Sequence, residues 1–537
     1  MLRHPRLSES YDWVVLGDSP AALLSAALVA RMGLSVLVVT GGDEKKWILS
    51  STGQVVDPEP NFIPGVGHPA HRLGLAGSCF SSLGLPESDW SSVLVEAPVF
   101  QALTPRLRAG YDSDLAATRR SVLRESASSI PGPVLSLIDA CAAGSGAIQD
   151  YWRGIPRRLT LPVAASSGES GERGSARPQE AAASGRHASS SRLLSEEGAH
   201  QEIVRDFSGD SASRAWAGLQ EGLGSLGLSE AEREWVDAWL AGALGAEVPS
   251  HFSAFDVLRA LVLAGDGVHI RGGLSAFRQA LHRLAVRLGA VVADSSIRVS
   301  RLFIEEGRIM GVQLSGTETT RNVVQARGVL SSVHPGRVRS WVSSEGEGEA
   351  ALFSGQDLIR VTLALTVPEE AIPPGLARRA IWRETGAPSL EIERTNPEDY
   401  GFARDSREFV FVRSCFHHDS TDWSLERWRS VCERMFRQAA EILPFLEERV
   451  ERVFPDFRGE DFEAHWDGIY GRGLLASQEI LRVPVARVPA SERLRVEGLF
   501  EVHRALDPAL GAHGEWSSAL EATAWVAHRS GLAGPLG

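Results

Sequence analysis

The chain has 537 residues, 43% of them hydrophobic, which is enough for more than one domain with a sizeable core. Its formal net charge of −13 disfavours binding to a phosphate backbone, so we expect no nucleic-acid partner. The four cysteines are scattered, and the first ten residues lack the apolar core of a secretory signal. We therefore expect a cytoplasmic protein without disulfides.

The first predicted element is a βαβ unit between residues 11 and 40. A short apolar run at 13–16 predicts a strand, and the turn Gly17-Asp18-Ser19-Pro20 has the composition of a helix start. Residues 21–32 predict a helix rich in Ala and Leu, which ends at Gly33. A second apolar run at 35–39 completes the unit, which is typical of a parallel sheet.

The elements that follow are predicted from hydrophobic spacing and composition. Residues 121–154 indicate mixed helix and loop, and residues 214–245 indicate helices. The stretch at about 165–200 has almost no large apolar residues, so we expect a disordered insertion there. Further on, the sequence predicts an amphipathic helix at 274–288 and strands at 291–292, 299–304, 310–314 and 323–330. It also predicts strands at 359–367 and 409–412, a long helix from 425 to about 453, a strand at 498–500 and a helix at 517–528.

The segment from 271 to 335 carries the most specific pattern in the chain. It contains Gly272-Gly273 before a helix, Leu288-Gly289-Ala290 after it, then Glu306-Gly307-Arg308, Gly311-Val312 and a final Pro335. This order resembles the phytoene desaturase and carotenoid isomerase type of FAD-dependent oxidoreductase. The resemblance implies an α/β fold, in which a Rossmann-like FAD/NAD(P)-binding domain of discontinuous segments is joined to an α+β substrate domain.

On this resemblance, the dinucleotide-binding segments are 1–100, 261–340 and 496–537. A helical insert region occupies 101–260, and the substrate domain occupies 341–495. A member of the family uses FAD to oxidise, reduce or isomerise a hydrophobic polyene or isoprenoid, and the flavin performs the chemistry. The expected partner is thus a hydrophobic small molecule. A peripheral membrane contact is compatible with such a substrate, and the resemblance identifies neither a protein partner nor a catalytic residue.

The resemblance places the cofactor first at the turn after the first strand. The glycine positions of the motif Gly-x-Gly-x-x-Gly fall on Gly17, Ser19 and Ala22, so that a side chain stands where the backbone should approach phosphate. Asp18 adds a negative charge beside the expected pyrophosphate. Thr40 stands where the family has an acidic residue for the ribose hydroxyls.

The resemblance places the remaining cofactor contacts in the middle and at the end of the chain. Val299 suits a backbone contact with the adenine, while Gly498, His503 and Arg504 belong to the C-terminal motif, in which His503 replaces a glycine. Two hypotheses follow from these changes. The chain is an FAD-linked oxidoreductase or isomerase, or it is a flavin-free homologue that binds or escorts a hydrophobic ligand or a protein. The GDP-dissociation inhibitors of prenylated GTPases are a precedent for the second hypothesis within this superfamily.

One further group of residues contains side chains that can ligate a metal ion. Cys415, His417, His418 and Asp419 lie close together in the sequence, but their spacing matches no zinc motif. We therefore expect no metal.

Overall fold

The structure is a computed structural model that describes residues 7–40, 47–49, 54–56, 62–64, 66–68, 72–73, 75–84, 93–94, 99–112, 114–125, 132–159, 210–221, 223–244, 253–265, 267–270, 273–316, 323–333, 338, 341–342, 355–395, 406–417, 424–459, 480–484, 496–502 and 513–532.

The strands, in chain order, are β1 (Ser10–Leu16), β2 (Val36–Val39), β3 (Trp47–Leu49), β4 (Gln54–Val56), β5 (Phe62–Pro64), β6 (Gly67–His68), β7 (Arg72–Leu73), β8 (Val93–Leu94), β9 (Phe100–Leu103), β10 (Arg108–Tyr111), β11 (Gly267–Ile270), β12 (Val291–Val292), β13 (Arg298–Glu305), β14 (Arg308–Ser315), β15 (Val323–Ser331), β16 (Gly355–Pro368), β17 (Arg379–Trp382), β18 (Leu390–Thr395), β19 (Arg407–His417), β20 (Arg452–Phe454), β21 (Ile480–Pro484) and β22 (Leu499–Glu501). The helices are α1 (Pro20–Arg31), α2 (Leu75–Ser82), α3 (Leu115–Glu125), α4 (Gly132–Leu159), α5 (Asp210–Glu221), α6 (Glu230–Leu244), α7 (Ala254–Leu263), α8 (Gly273–Arg287), α9 (Leu425–Ile442), α10 (Leu446–Arg449) and α11 (His513–Arg529).

The first sheet collects strands from distant parts of the chain. Its order is β12-β2-β1-β15-β14-β13, and β22 pairs with β15 as well. The strands β12, β2, β1, β15 and β22 run parallel, whereas β13, β14 and β15 form an antiparallel meander. Leu16 pairs with Ser331, which pairs with Glu501, so the carboxyl ends of β1, β15 and β22 lie side by side. In open parallel sheets, this edge is where ligands bind.

Helix α1 is buried almost completely, because apolar or small residues occupy nearly all of its positions. Leu23, Leu24 and Leu28 are fully buried, and the helix packs against α8 and α11. Burial of each leucine side chain contributes about 1.5–3 kcal/mol. Packing around α1 thus joins the N-terminal βαβ unit to the middle and C-terminal segments of the chain.

The second sheet has the order β10-β9-β17-β18-β19-β16-β20, and β21 pairs with β16. Strands β9 and β17 are parallel, and the other neighbours are antiparallel. Helix α9 packs on this sheet through a buried face that includes Trp428, Met435 and Phe436. Helix α6 contacts β9 and β17, and β11 forms a small separate sheet with β5 and β8.

Some of the elements predicted from the sequence differ in the structure. The helix predicted at 425–453 ends at Ile442, because Pro444 disfavours helical backbone at Leu443, and α10 and β20 follow. The region 121–154, predicted as mixed helix and loop, is largely helical. Val134, Leu137, Ile138 and Cys141 of α4 have helical spacing and are buried.

The remaining differences lie at the ends of elements. The helix predicted at 517–528 starts four residues earlier, at His513. The insertion predicted at about 165–200 lies outside the described residues. Among the helices that the structure does describe, none is long and apolar enough to cross a membrane.

Candidate functional site

The turn after β1 is held by contacts within the chain. Gly17 has φ +101°, and its N–H donates to the Val39 carbonyl oxygen at 2.9 Å. A Cβ atom at this position would lie 2.2 Å from Ser332 Oγ, at the end of β15. Glycine is thus needed both for the left-handed backbone and for the close approach of two strand ends.

In the first turn of α1, most backbone N–H groups are either missing or already hydrogen-bonded within the chain. Ser19 is the N-cap, and its hydroxyl oxygen accepts a hydrogen bond from Ala22 N–H at 3.2 Å. Leu23 N–H donates to the Ser19 carbonyl oxygen at 3.0 Å, and Pro20 has no N–H. Within this turn, which the structure describes completely, Ala21 N–H is the donor that remains. A helix N-terminus binds phosphate through these same groups, so Ser19 takes part of their capacity.

Two acidic side chains are buried at the same edge of the sheet. Asp18 is 8% exposed, and Arg278 Nη1 of α8 lies 3.9 Å from its Oδ2. Glu501 ends β22 and is also buried, in register with the fully buried Ser331. The charge of Asp18 is paired with Arg278, but a carboxylate supplies no hydrogen-bond donor to a phosphate oxygen, so these residues disfavour a pyrophosphate there.

The other residues predicted to bind the cofactor have different positions. Ala22 is buried within α1, and Thr40 follows β2 and is half-buried. Val299 belongs to the apolar core that also contains Leu16 and Val39, at a point where the β13–β14 pairing shifts register. Gly498 has φ +89° and lies at the amino end of β22, away from the carboxyl edge. His503 and Arg504 lie outside the described residues.

A second group of polar residues lies in the second sheet, and the sequence analysis did not identify it. It contains two buried ion pairs. Arg413 Nη1 donates to Glu393 Oε2 at 2.6 Å, and Arg379 Nε donates to Glu391 Oε1 at 2.8 Å. His269 of β11 lies beside them, with Nδ1 3.5 Å from Glu393 Oε1. We call these five residues the buried charged cluster.

Electrostatics within the buried charged cluster favour the ionised carboxylate of Glu391. Burial alone would raise the pKa of Glu391, but the guanidinium groups of Arg379 and Arg413 lower it below its ordinary value. No sequence signal marks this cluster, because Glu391 and Glu393 alternate with apolar residues as they would on a strand with one solvent face. In the structure both faces of that strand are covered.

From the sequence, we expected no metal site at residues 415–419. Cys415 lies on β19 and is half-buried, while His418 and Asp419 lie outside the described residues. Among the residues that the structure does describe, no group of three or more side chains could hold a metal ion.

Comparison with known proteins shows that the fold of this chain resembles that of several solved structures. No protein-family model matches the sequence, and no curated protein matches it. Among solved structures, an oxidoreductase from Methanosarcina mazei is 15% identical, with a TM-score of 0.50, over 93% of this chain and 98% of that one. A Rab GDI from Plasmodium falciparum is 11% identical, with a TM-score of 0.51, over 98% of this chain and 99% of that one. The predicted fold class, a mixed α/β fold of the kind found in FAD-dependent oxidoreductases, is confirmed.

This fold implies an FAD site at the carboxyl edge of the first sheet. The described residues there do not fit the pyrophosphate of FAD. Ser19 occupies a backbone donor that the pyrophosphate would use, and Asp18 places a buried carboxylate beside it. Phosphate oxygens need donors, and a carboxylate supplies none.

Proposed function

We propose that the protein binds a ligand other than flavin, on the fold of FAD-dependent oxidoreductases. The observation that carries this proposal is the closed turn at the start of α1, where the Ser19 hydroxyl caps the Ala22 N–H. The buried Asp18 carboxylate acts in the same direction. Because the chain itself bonds the Ala22 N–H, the start of α1 offers fewer donors to a phosphate, and hydrogen transfer through bound FAD is disfavoured.

The ligand that we propose is a hydrophobic small molecule, bound for storage, transfer or escort. The Rab GDI shows that the fold also occurs in a protein whose name refers to no redox reaction. A peripheral contact with a membrane is part of this proposal, because apolar ligands reside there. This role requires the two-sheet scaffold but no intact dinucleotide motif.

Flavin retention tests this function directly. The purified protein is incubated with excess FAD and desalted, and its visible absorbance is then recorded. We expect no flavin bands for the wild type. In the double variant Asp18→Ala/Ser19→Gly the carboxylate and the cap are both removed, and we expect FAD to bind at least about tenfold more tightly, the ratio that corresponds to about 1.4 kcal/mol.

A matched control separates local repair from general loosening of the protein. Ser253 caps α7 in the same way, since its hydroxyl accepts from Asp256 N–H, so Ser253→Gly removes an equivalent cap elsewhere. This control should retain no FAD. Wild-type protein that keeps flavin after desalting would contradict the proposal.

A second candidate function is an FAD-linked oxidoreductase or isomerase of the phytoene desaturase type, acting on a polyene or isoprenoid. The parallel order of β12, β2, β1, β15 and β22 and the left-handed turn at Gly17 favour it, because both belong to dinucleotide-binding folds. Flavin would supply the hydrogen transfer, and this chain would hold the substrate. Flavin bands that survive desalting and bleach when phytoene is added without oxygen would establish this candidate.

A further inference from the structure

The buried charged cluster contains hydrogen-bond donors that the protein does not satisfy. His269 is 3% exposed, and neither of its ring nitrogens has a hydrogen-bond partner among the residues that the structure describes. Its Nδ1 lies within 3.5 Å of Glu393 Oε1 but is not aligned with it as a hydrogen bond. Arg379 uses Nε on Glu391 and Nη2 on the Gly242 carbonyl oxygen. Its buried Nη1 has no acceptor within the same described part of the chain.

Both donors contact the same aromatic ring. The Phe62 ring centroid lies 5.3 Å from the centroid of the His269 ring and 4.4 Å from Arg379 Cζ. The Phe100 ring lies near the same guanidinium group, with its centroid 5.6 Å from Arg379 Cζ. A ligand that reaches these donors therefore lies close to aromatic surface, which suits an apolar or aromatic body.

The charge balance of the cluster determines which acceptor fits. The carboxylates of Glu391 and Glu393 are matched by the guanidinium groups of Arg379 and Arg413. An additional anion would be buried without a cation of its own, which is strongly unfavourable in a dry interior. A neutral oxygen acceptor can accept a hydrogen bond from these donors without disturbing this balance.

Buried donors without an acceptor lower the stability of the folded protein. Each buried polar group without a partner destabilises a protein by about 1–3 kcal/mol, and an apolar residue of similar size avoids that loss. We propose that His269 and Arg379 bind the carbonyl oxygen of a neutral, apolar ketone or aldehyde, with Phe62 and Phe100 against its body. This inference deepens the proposed function by naming the chemical class of the ligand, and it rests on that function only in treating the protein as a ligand-binding protein.

The test compares two probes that differ in one group. Benzophenone carries a carbonyl where diphenylmethane carries a methylene, and the two share their aromatic rings. Equilibrium dialysis measures both against the full-length wild type and against Phe62→Ala, which gives the probe room beside the two donors. We expect benzophenone to bind about tenfold more tightly than diphenylmethane, the ratio for one hydrogen bond at the upper end of ordinary strength.

Variants at His269 test whether this residue causes the preference for benzophenone over diphenylmethane. His269→Leu should bind both probes with equal affinity, and it should unfold at the same or a higher urea concentration than the wild type. If the role of the histidine were only structural, this variant would lose stability instead. His269→Gln keeps an N–H donor and should restore at least part of the preference. The proposal is overturned if neither wild type nor Phe62→Ala prefers benzophenone, or if His269→Leu keeps the preference. Neither result depends on FAD, so this inference and the proposed function can fail separately.

Discussion

The ion pair between Arg413 and Glu393 should be among the most sensitive points of the second sheet. The two side chains are 1% and 0% exposed, and Nη1 lies 2.6 Å from Oε2. Loss of one partner from such a pair costs about 3–5 kcal/mol, because the other charge stays buried. We therefore expect Arg413→Met to lose at least about 3 kcal/mol of stability.

Hydrogen exchange of peptides from β18 and β19 measures this loss where it occurs. The double variant Arg413→Met/Glu393→Gln removes the stranded charge, so it should recover at least half of the lost stability. Arg407 and Glu451 form a pair of equal length, 2.6 Å, but they are 47% and 37% exposed. Arg407→Met should therefore change stability by less than about 1 kcal/mol. A loss of less than about 1 kcal/mol in Arg413→Met, or a double variant no more stable than the single one, would refute the reasoning.

Two further predictions concern the first sheet and its C-terminal helix. Burial, opposed by a hydrogen bond to the Leu263 carbonyl oxygen, lowers the pKa of His513 from 6.5 to about 4. The unfolded chain thus binds a proton that the folded chain does not, and stability that is full above about pH 6.5 falls by roughly 3 kcal/mol as the pH approaches 4. Urea unfolding across this range should show a smaller fall for His513→Gln than for the wild type. Gly17→Ala should lose at least about 1 kcal/mol more than Gly33→Ala in thermal unfolding, because both have positive φ but only Gly17 would place a Cβ against Ser332. Equal losses would contradict this account of the turn.

Helices and strands were predicted well where local sequence signals mark their ends. The βαβ unit predicted at 11–40 corresponds to β1, α1 and β2, since apolar periodicity and Gly33 act over a few residues. The sheet order was a matter of resemblance, because β15 meets β1 and β22 across hundreds of residues. The helix predicted at 425–453 was too long. The apolar pattern continues past Pro444, but the helical backbone ends at Ile442.

The candidate sites differ in how far the sequence indicated them. The side chain of Ser19 was recognised as an obstacle, but its hydrogen bond to Ala22 N–H depends on the backbone angles of the cap. Gly498 lies at the amino end of β22, a position that depends on strand register and that its place in the sequence does not reveal. The buried charged cluster was missed, since charged residues in a strand usually indicate a solvent face. Only tertiary packing shows that this face is covered.

The two sites make opposite use of hydrogen bonds, and this contrast favours a ligand at the second sheet over one at the first. At the turn after β1, the chain itself bonds the Ala22 N–H, so an incoming phosphate would have to displace Ser19 Oγ to reach that donor. At β11 and β17, His269 and Arg379 hold donors without acceptors in the described part of the chain, although a leucine at 269 would remove part of that cost. Residues that lower stability without an evident structural gain are expected where function requires them. His269→Leu should therefore gain or keep stability while it loses the preference for a carbonyl, a combination that a purely structural role for this histidine does not produce.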